Sequence, residues 1–336
     1  MDAVNLKKLA RQLKLSVSTV SRALRDSHEI SRETKEKVLA LAAELNYQPN
    51  PYASSLRRQK SRTIAVVVPE IANNFFSLAI NGIGSVAQEK GYHVLIYLTH
   101  ENVSEEISIV GHLLSGRVDG VLMSLSSETG DTTHLAELKR KGVPIVFFDR
   151  VCDTIETARV TTDDYESGFN ATQHLVDQGC RRIAYLLISP NLSIGVKRMQ
   201  GYLDALKQNS IAVDEQLIVQ GGLDNDQNYA LIKSLLQRDG RPDGIFASVE
   251  RLAISTYHVC NDLGLDIPGD VKIISFSNLE TASLLQPSLT TVTQPAFDIG
   301  KTAAMVLFKG LDKKSAIADE HIILKSALIP RASTGQ

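Results

Sequence analysis

From residue 63 onward, short apolar runs alternate with longer amphipathic stretches, and few folds accept that pattern. The runs are Ile64–Val68, Val94–Leu98, Gly120–Ser124, Ile145–Phe148, Ile183–Ile188, Gly244–Ala247 and Val271–Phe276. Each is too short to be a helix of its own, and most are separated by segments of helical period. Apolar strands that alternate with helices pair in parallel, because a chain that returns to the same end of a sheet needs a crossover. Helices then cover both faces of the sheet, so its strands are buried on both sides. A break near Val160–Asp163 divides the series into two α/β subdomains.

The first sixty residues follow a different rule. Leu6, Leu9, Ala10 and Leu13 recur at i, i+3, i+4 and i+7, the stripe of a short helix, and Asn5 is placed to cap it. Lys14 and Leu15 make a tight turn. Ser16 then caps a second helix that turns Val20, Ala23 and Leu24 inward and Ser18, Ser21 and Arg22 outward. A third helix starts at Ser31 and buries Val38, Leu41, Ala42 and Leu45. Two helices joined by a short turn, the second polar on its outer face, fit the helix-turn-helix plan, whose second helix enters the major groove. An ordinary helical hairpin fits the same spacing. Charge favours the first reading: residues 1–62 carry a net +7, whereas the remainder of the chain carries −9. A basic head on an acidic body suits a polyanionic partner. Asn50 and Pro51 open a further short helix, in which Leu56 stands beside Arg57, Arg58 and Lys60. Such a helix is marginal alone. Its alternatives are a basic linker and a DNA-ordered helix whose leucine wedges between base steps.

Taken together, these segments resemble the lactose-repressor (LacI/GalR) family of bacterial transcription regulators over nearly the whole chain. The resemblance is carried by Ser16 to Leu24, Tyr47-Gln48-Pro49-Asn50, Ala53 with Leu56, Ile64 to Pro69, Asn74-Phe75-Phe76, Phe148-Asp149-Arg150, Arg198 with Gly201-Tyr202, and Pro287 to Val292. It implies a cytoplasmic, dimeric, repressor-type regulator that binds a partly palindromic operator and responds to a small effector, a sugar or sugar derivative. The implied fold is α/β: a helix-turn-helix headpiece at residues 1–47, a hinge helix and linker at 48–62, and a periplasmic-binding-protein-like core of two parallel-sheet subdomains. The first subdomain would hold 63–161 and 292–320, and the second 162–291 and 321–334. A strand around Ile322–Leu328 would close the second. The family often has Gly where this chain has Lys14, so a left-handed turn there would carry a Cβ.

Ligands of open α/β sheets bind beyond the carboxyl ends of the strands. That rule selects Asn74, Phe75, Phe76, Ser124, Asp149, Arg198, Glu250 and Ser277 as effector contacts, with Arg150 and Asp163 nearby. Aromatic faces beside carboxylate, hydroxyl and guanidinium groups suit a sugar, which stacks on a ring and needs fixed donors and acceptors. Each residue has a plainer role open to it. Phe75 and Phe76 could be core, Arg150 a structural ion-pair partner, Asp163 a helix cap. Asp149 and Arg198 are the strongest candidates, because the resembled family uses those positions for its effector. Val249-Glu250 and Ser277 stand where the family usually has Asn-Asp and a carboxylate. The pocket would then be less acidic, and an anionic sugar better tolerated. On the DNA side, Val17, Ser18, Thr19, Ser21 and Arg22 would face bases and phosphates in the major groove. Asn50, Ala53, Leu56 and Arg57 would belong to the hinge.

Other classes find less support. Gly82-Ile83-Gly84-Ser85-Val86-Ala87 matches GxGxxA, but dinucleotide binding needs those glycines in the turn after a strand, and here they lie inside the following helix as small packing residues. No phosphate loop, nucleophile elbow or acid–base carboxylate pair is present, so no enzyme is expected. Cys152, Cys180 and Cys260 are odd in number and widely spaced, the eight His are scattered, and no cofactor or metal site is expected. A transport protein would not need the headpiece, and an architectural DNA protein would not need the body. No apolar run approaches membrane-spanning length and the N-terminus has no signal-like apolar region, so no membrane partner is expected.

Overall fold

The computed structural model describes residues 5–47, 61–313 and 317–335. The chain divides between Ser61 and Arg62 into a small helical unit and a large α/β unit.

In the small unit, α1 (Leu6–Gln12), α2 (Val17–Ala23) and α3 (Arg32–Glu44) each begin at a short polar side chain. Asn5, Ser16 and Ser31 accept hydrogen bonds from the backbone N–H groups of Lys8, Thr19 and Thr34, which would otherwise go unmatched at a helix start. Leu9, Ala10, Val20, Ala23, Val38 and Ala42 form the core of the unit, and Leu24, Leu41 and Leu45 pack at its margin. Between α1 and α2, Lys14 adopts φ +54°, so the turn is left-handed and a side chain occupies a conformation that suits glycine better.

The large unit is built on two six-stranded sheets. The first contains β1 (Thr63–Val68), β2 (His93–Leu98), β3 (Gly120–Met123), β4 (Ile145–Phe148), β5 (Arg159–Thr162) and β11 (His321–Leu324), in the order β11-β5-β4-β3-β1-β2 and parallel throughout. On one face lie α4 (Asn74–Glu89) and α11 (Ala296–Lys313), and on the other α5 (Val103–Leu113) and α6 (Thr133–Arg140). The second contains β6 (Ile183–Leu187), β7 (Ile218–Gln220), β8 (Gly244–Ala247), β9 (Lys272–Phe276), β10 (Thr290–Thr293) and β12 (Ala327–Ile329), in the order β12-β10-β9-β8-β6-β7. Only β12 runs antiparallel there, against β10. Its faces are covered by α7 (Asp164–Asp177) and α8 (Ser193–Gln208), and by α9 (Asn225–Leu236) and α10 (Glu250–Leu263).

The single strand expected around Ile322–Leu328 is two. β11 pairs with β5 in the first sheet and β12 with β10 in the second, so residues 321–324 do not belong to the second subdomain. The apolar run is interrupted at Lys325-Ser326, where the chain changes sheets. The second crossing also falls later than position 292, because β10 extends to Thr293 in the second sheet. Three segments therefore join the subdomains: Thr162-Asp163, Gln294-Pro295 and Lys325-Ser326. The first and third are bonded together. Asp163 Oδ1 accepts from the Ser326 N–H at 2.7 Å, and Thr162 and Ser326 share a hydroxyl–hydroxyl hydrogen bond. Gln294 reaches from the second segment to Asp149 at 3.4 Å, and its carbonyl accepts from Asn278 Nδ2 at 2.7 Å.

Gly82 confirms one half of the packing expectation. A Cβ there would lie 2.1 Å from the carbonyl oxygen of Phe297, so the glycine lets α4 and α11 touch. Gly84 has nothing within 4 Å of such an atom and plays no part in the contact.

Candidate functional site

In the headpiece the polar face of α2 presents Val17, Ser18 and Arg22, with Val17 40% exposed. Ser18 and Arg22 are one turn apart and share a face. Arg22 Nη1 stands 2.7 Å from Glu29, a pair half open to solvent. Ser21 is half-buried, and its hydroxyl and carbonyl receive Arg25. Thr19 turns back to the cap, its hydroxyl 2.8 Å from that of Ser16. Of the five residues expected to meet DNA, Val17, Ser18 and Arg22 are the exposed ones, and the Ser18 hydroxyl also lies 2.7 Å from that of Ser16. Asn50, Ala53, Leu56 and Arg57 lie outside the described residues.

Between the two sheets of the large unit, the carboxyl ends of the strands face one cleft with two adjoining lobes. Phe75, Phe76, Asp149, Arg198, Glu250 and Ser277 line the inner lobe, as expected from their positions after strands. Two other expected contacts do not line either lobe. Asn74 is displaced by Asn73, which caps α4 by accepting from the Phe75 N–H at 2.9 Å. Ser124 is wholly buried behind the cleft, where its hydroxyl faces the Arg150 N–H at 3.4 Å. Residues that sequence reasoning did not assign are Ser248, Ile194 and Gln294. The lobes hold only about 40 and 50 Å³ of free space. Sites for small molecules typically need roughly 300 Å³ or more, so binding must widen this cleft. A larger depression of about 540 Å³ adjoins the lobes at Glu70, Asn73, Glu250 and Arg251 and runs on over α9 and α10, past Asp226, Tyr229, His258 and Asp262.

Asp149 emerges from β4 with φ +59°, a conformation that few side chains adopt without a local reason. Burial pushes its carboxyl above the ordinary carboxylate range, while Arg150 and Arg198 oppose the shift. Arg198 is 3% exposed and held on three sides. Its Nε donates to Asp164 at 2.8 Å, its Nη1 donates to the Ser248 carbonyl at 2.9 Å, and its guanidinium lies 3.6 Å from the centre of the Phe276 ring. Nη2 is buried with no partner among the described residues. Burial raises the Asp164 carboxyl to about 6 against the pull of Arg198, with the charge of Asp149 adding to the rise. Two glycines place this arginine. A Cβ at Gly168 would lie 2.5 Å from the carbonyl of Arg198, and one at Gly201 would lie 2.3 Å from that of Tyr165, so α7 and α8 cross in direct backbone contact.

Arg150 does what its plainer reading held. Its Nη1 donates to both oxygens of Glu101 at 2.8 Å, and its guanidinium lies 5.7 Å from the Phe76 ring. Burial raises the Glu101 carboxyl, but Arg150 and the Ser127 N–H outweigh it and hold the group below its usual value. Phe76 is both core and cleft wall, edge-on to Phe75 at 5.3 Å. Asp163 sits at the start of α7 without capping its backbone, and uses its carboxylate to tie the crossings. At the lip, Arg251 of α10 meets Glu70, which follows β1, at 3.1 Å. This ion pair spans the two subdomains.

A helix-turn-helix unit attached to a two-sheet body with a polar cleft between the sheets defines a DNA-binding regulator with a small-molecule domain. Residues 5–50 match the family described as bacterial regulatory proteins, lacI family, and residues 172–334 match the periplasmic binding protein-like domain. Catabolite control protein A of Priestia megaterium is 31% identical over 93% of this chain and 94% of its own length. The solved transcriptional regulator CelR in complex with cellobiose is 28% identical, covers 98% of this chain and all of its own, and superposes with a TM-score of 0.74. The lac repressor dimer bound to operator and the anti-inducer ONPF shares the fold at a TM-score of 0.85, with 24% identity over 99% of both chains. The chain belongs to the LacI family of bacterial transcription regulators, and its relatives are regulators rather than enzymes. No helix among the described residues is long and apolar enough to cross a membrane.

Proposed function

We propose that this chain works in the cytoplasm as a homodimeric repressor. It would bind a partly palindromic operator through α2 and change its operator affinity when a sugar or sugar derivative occupies the cleft. The cleft carries the reading most directly. A buried guanidinium whose Nη2 has no partner among the described residues, a strained and desolvated carboxylate and aromatic walls meet beyond the strand ends, and that is the donor, acceptor and stacking set a pyranose needs. The related regulator solved with cellobiose supports a sugar in that place, and the lac repressor solved as a dimer on its operator supports the assembly. Val17, Ser18 and Arg22 are the base-facing residues, with Thr19 and Ser21 at the edge of the contact. Asn50, Ala53, Leu56 and Arg57 form the hinge in this reading.

The subdomain boundary makes the coupling. An effector moves the equilibrium between cleft geometries only as far as its affinity differs between them. The test is operator binding by the full chain, titrated with sugars and measured by fluorescence anisotropy. A sugar that shifts the operator isotherm of the wild type, and fails to shift that of Asp149→Asn, is the expected result. A panel of sugars without effect, alongside a nucleobase or amino acid that does shift it, overturns the sugar reading. Leu56→Ala is expected to lower operator affinity and DNA bending while leaving effector binding intact.

A further inference from the structure

The cations of the cleft are already matched. Arg150 holds Glu101 at 2.8 Å, Arg198 holds Asp164 at 2.8 Å and Arg251 holds Glu70 at 3.1 Å. Two carboxylates remain once these pairs are set aside, Asp149 and Glu250, and both line the inner lobe. Asp149 has Arg150 Nε no nearer than 4.0 Å and a long hydrogen bond from Gln294 at 3.4 Å. Glu250 accepts from the Ser277 hydroxyl at 2.8 Å. Ser277 therefore does not dilute the acidity of the pocket. It orients a carboxylate one helix away.

The unused hydrogen-bonding capacity is even in number, but its donors bring no free charge. Asp164 Oδ2 and Asn278 Oδ1 are buried acceptors without partners among the described residues, against Arg198 Nη2 and Arg150 Nε as unused donors. Both of these donors belong to arginines whose charge is already paired. Val249 supplies no amide, so its position adds no neutral donor to the wall. An anionic ligand entering this lobe would meet two carboxylates and no free cation, which reverses the expectation of tolerance for acidic sugars. A neutral ligand would satisfy hydrogen bonds and leave the charge. An ammonium group has three donors and no acceptor and would answer both.

Resting on the reading of the cleft as a sugar site, we propose that the effector carries a protonated amino group, seated in the lobe that Asp149 and Glu250 share: an amino sugar in preference to a neutral or phosphorylated one. Its hydroxyls take Arg198 Nη2 and Asn278 Oδ1, and its ring lies against the aromatic wall.

The test is calorimetry on the full-length protein with matched trios, the 2-amino, parent and 6-phosphate forms of glucose, galactose and mannose, at a pH where the amine is protonated. In the trio that binds, the amino form is expected to bind at least about tenfold tighter than the parent, and the phosphate weakest. Glu250→Gln is expected to close the gap between amino and parent forms while both still bind. Glu250 is partly exposed, so a thermal melt checks its folding, and the wild-type ranking stands without the variant. A parent or phosphorylated sugar that binds as tightly as its amino partner overturns this inference and leaves the sugar reading standing. No heat from any trio, with operator binding intact, overturns this inference, and the sugar reading falls with it when a nucleobase or amino acid shifts the operator isotherm.

Discussion

Arg22 shows how one side chain can serve two partners. Free of DNA it rests 2.7 Å from Glu29, in a half-exposed pair of the kind that contributes only about 0.2–1 kcal/mol, so the major groove can take it at little expense. Arg22→Ala is expected to cost about 1–3 kcal/mol at one base pair per half-site and to relax preference there. Anisotropy against operators varied one position at a time reads this, and uniform weakening of every sequence would reduce Arg22 to a phosphate contact. Arg198 is different in kind. Sequence alone suggests that Arg198→Ala removes the effector response and nothing else. With Asp164 left buried without its cation, forced to take up a proton or remain an unpartnered charge, the substitution is expected to cost up to about 3–5 kcal/mol of stability as well. Asp149→Asn should keep the fold and lose effector affinity. Asp164 also sets a pH dependence. Its folded value of about 6 lies above the ordinary 3.8, so the folded state holds the proton more tightly. Its contribution is most favourable below pH 3.8 and is lost as pH rises through about 6. Urea midpoints of wild type relative to Asp164→Asn should therefore fall between pH 4 and 6.5, and a flat difference would refute the assignment. At this scale the sequence was a partial guide. Arg198 and Asp149 were visible because the resembled family uses those positions for its effector, and Asp149 also follows directly on an apolar strand. Ser248 contributes only a carbonyl to Arg198, which its identity does not encode. Gln294 lies in a crossing that strand periodicity does not mark. Asn74 missed by one residue because either asparagine fits a helix start, and the cap geometry chose Asn73.

Among elements, helix crossings decide where functional side chains stand. Gly201 allows α8 to lie on α7 with backbone against backbone, one turn from Arg198. Gly201→Ala must push the helices apart, for an expected loss of about 1–3 kcal/mol, and effector affinity should fall with it because Arg198 moves. Gly84→Ala is the control: the position is helical and open, so a gain of up to about 1 kcal/mol is expected. Equal destabilisation by both would mean that the glycines act through backbone entropy and not through contact. The long apolar strands were readable because parallel strands buried on both faces cannot hide their composition. β5 and β10, Arg-Val-Thr-Thr and Thr-Thr-Val-Thr, are short and hydroxyl-rich, and buried all the same. β11 and β12 merged into one run because apolar residues continue on either side of Lys325-Ser326, and periodicity records no change of sheet.

Across the whole molecule, the Glu70–Arg251 pair is the ion pair that joins the two lips of the cleft among those described. Both side chains are about 30% exposed, so the pair should contribute less than about 1 kcal/mol and be screened by salt. Glu70→Gln is expected to shift the open–closed equilibrium by up to about fivefold, seen as a larger radius of gyration in solution scattering at low salt and no change at high salt. The crossings limit what any such shift can do. A single tether would leave one subdomain free to tilt, swivel and slide over the other. Three tethers side by side, two of them joined by Asp163, resist swivel and slide and leave bending about their common line as the soft coordinate. A ligand anywhere in the cleft can then pull on only one mechanical variable. That makes the effector's chemical identity and its leverage separable, so the same hinge can serve whichever molecule the walls are shaped to hold.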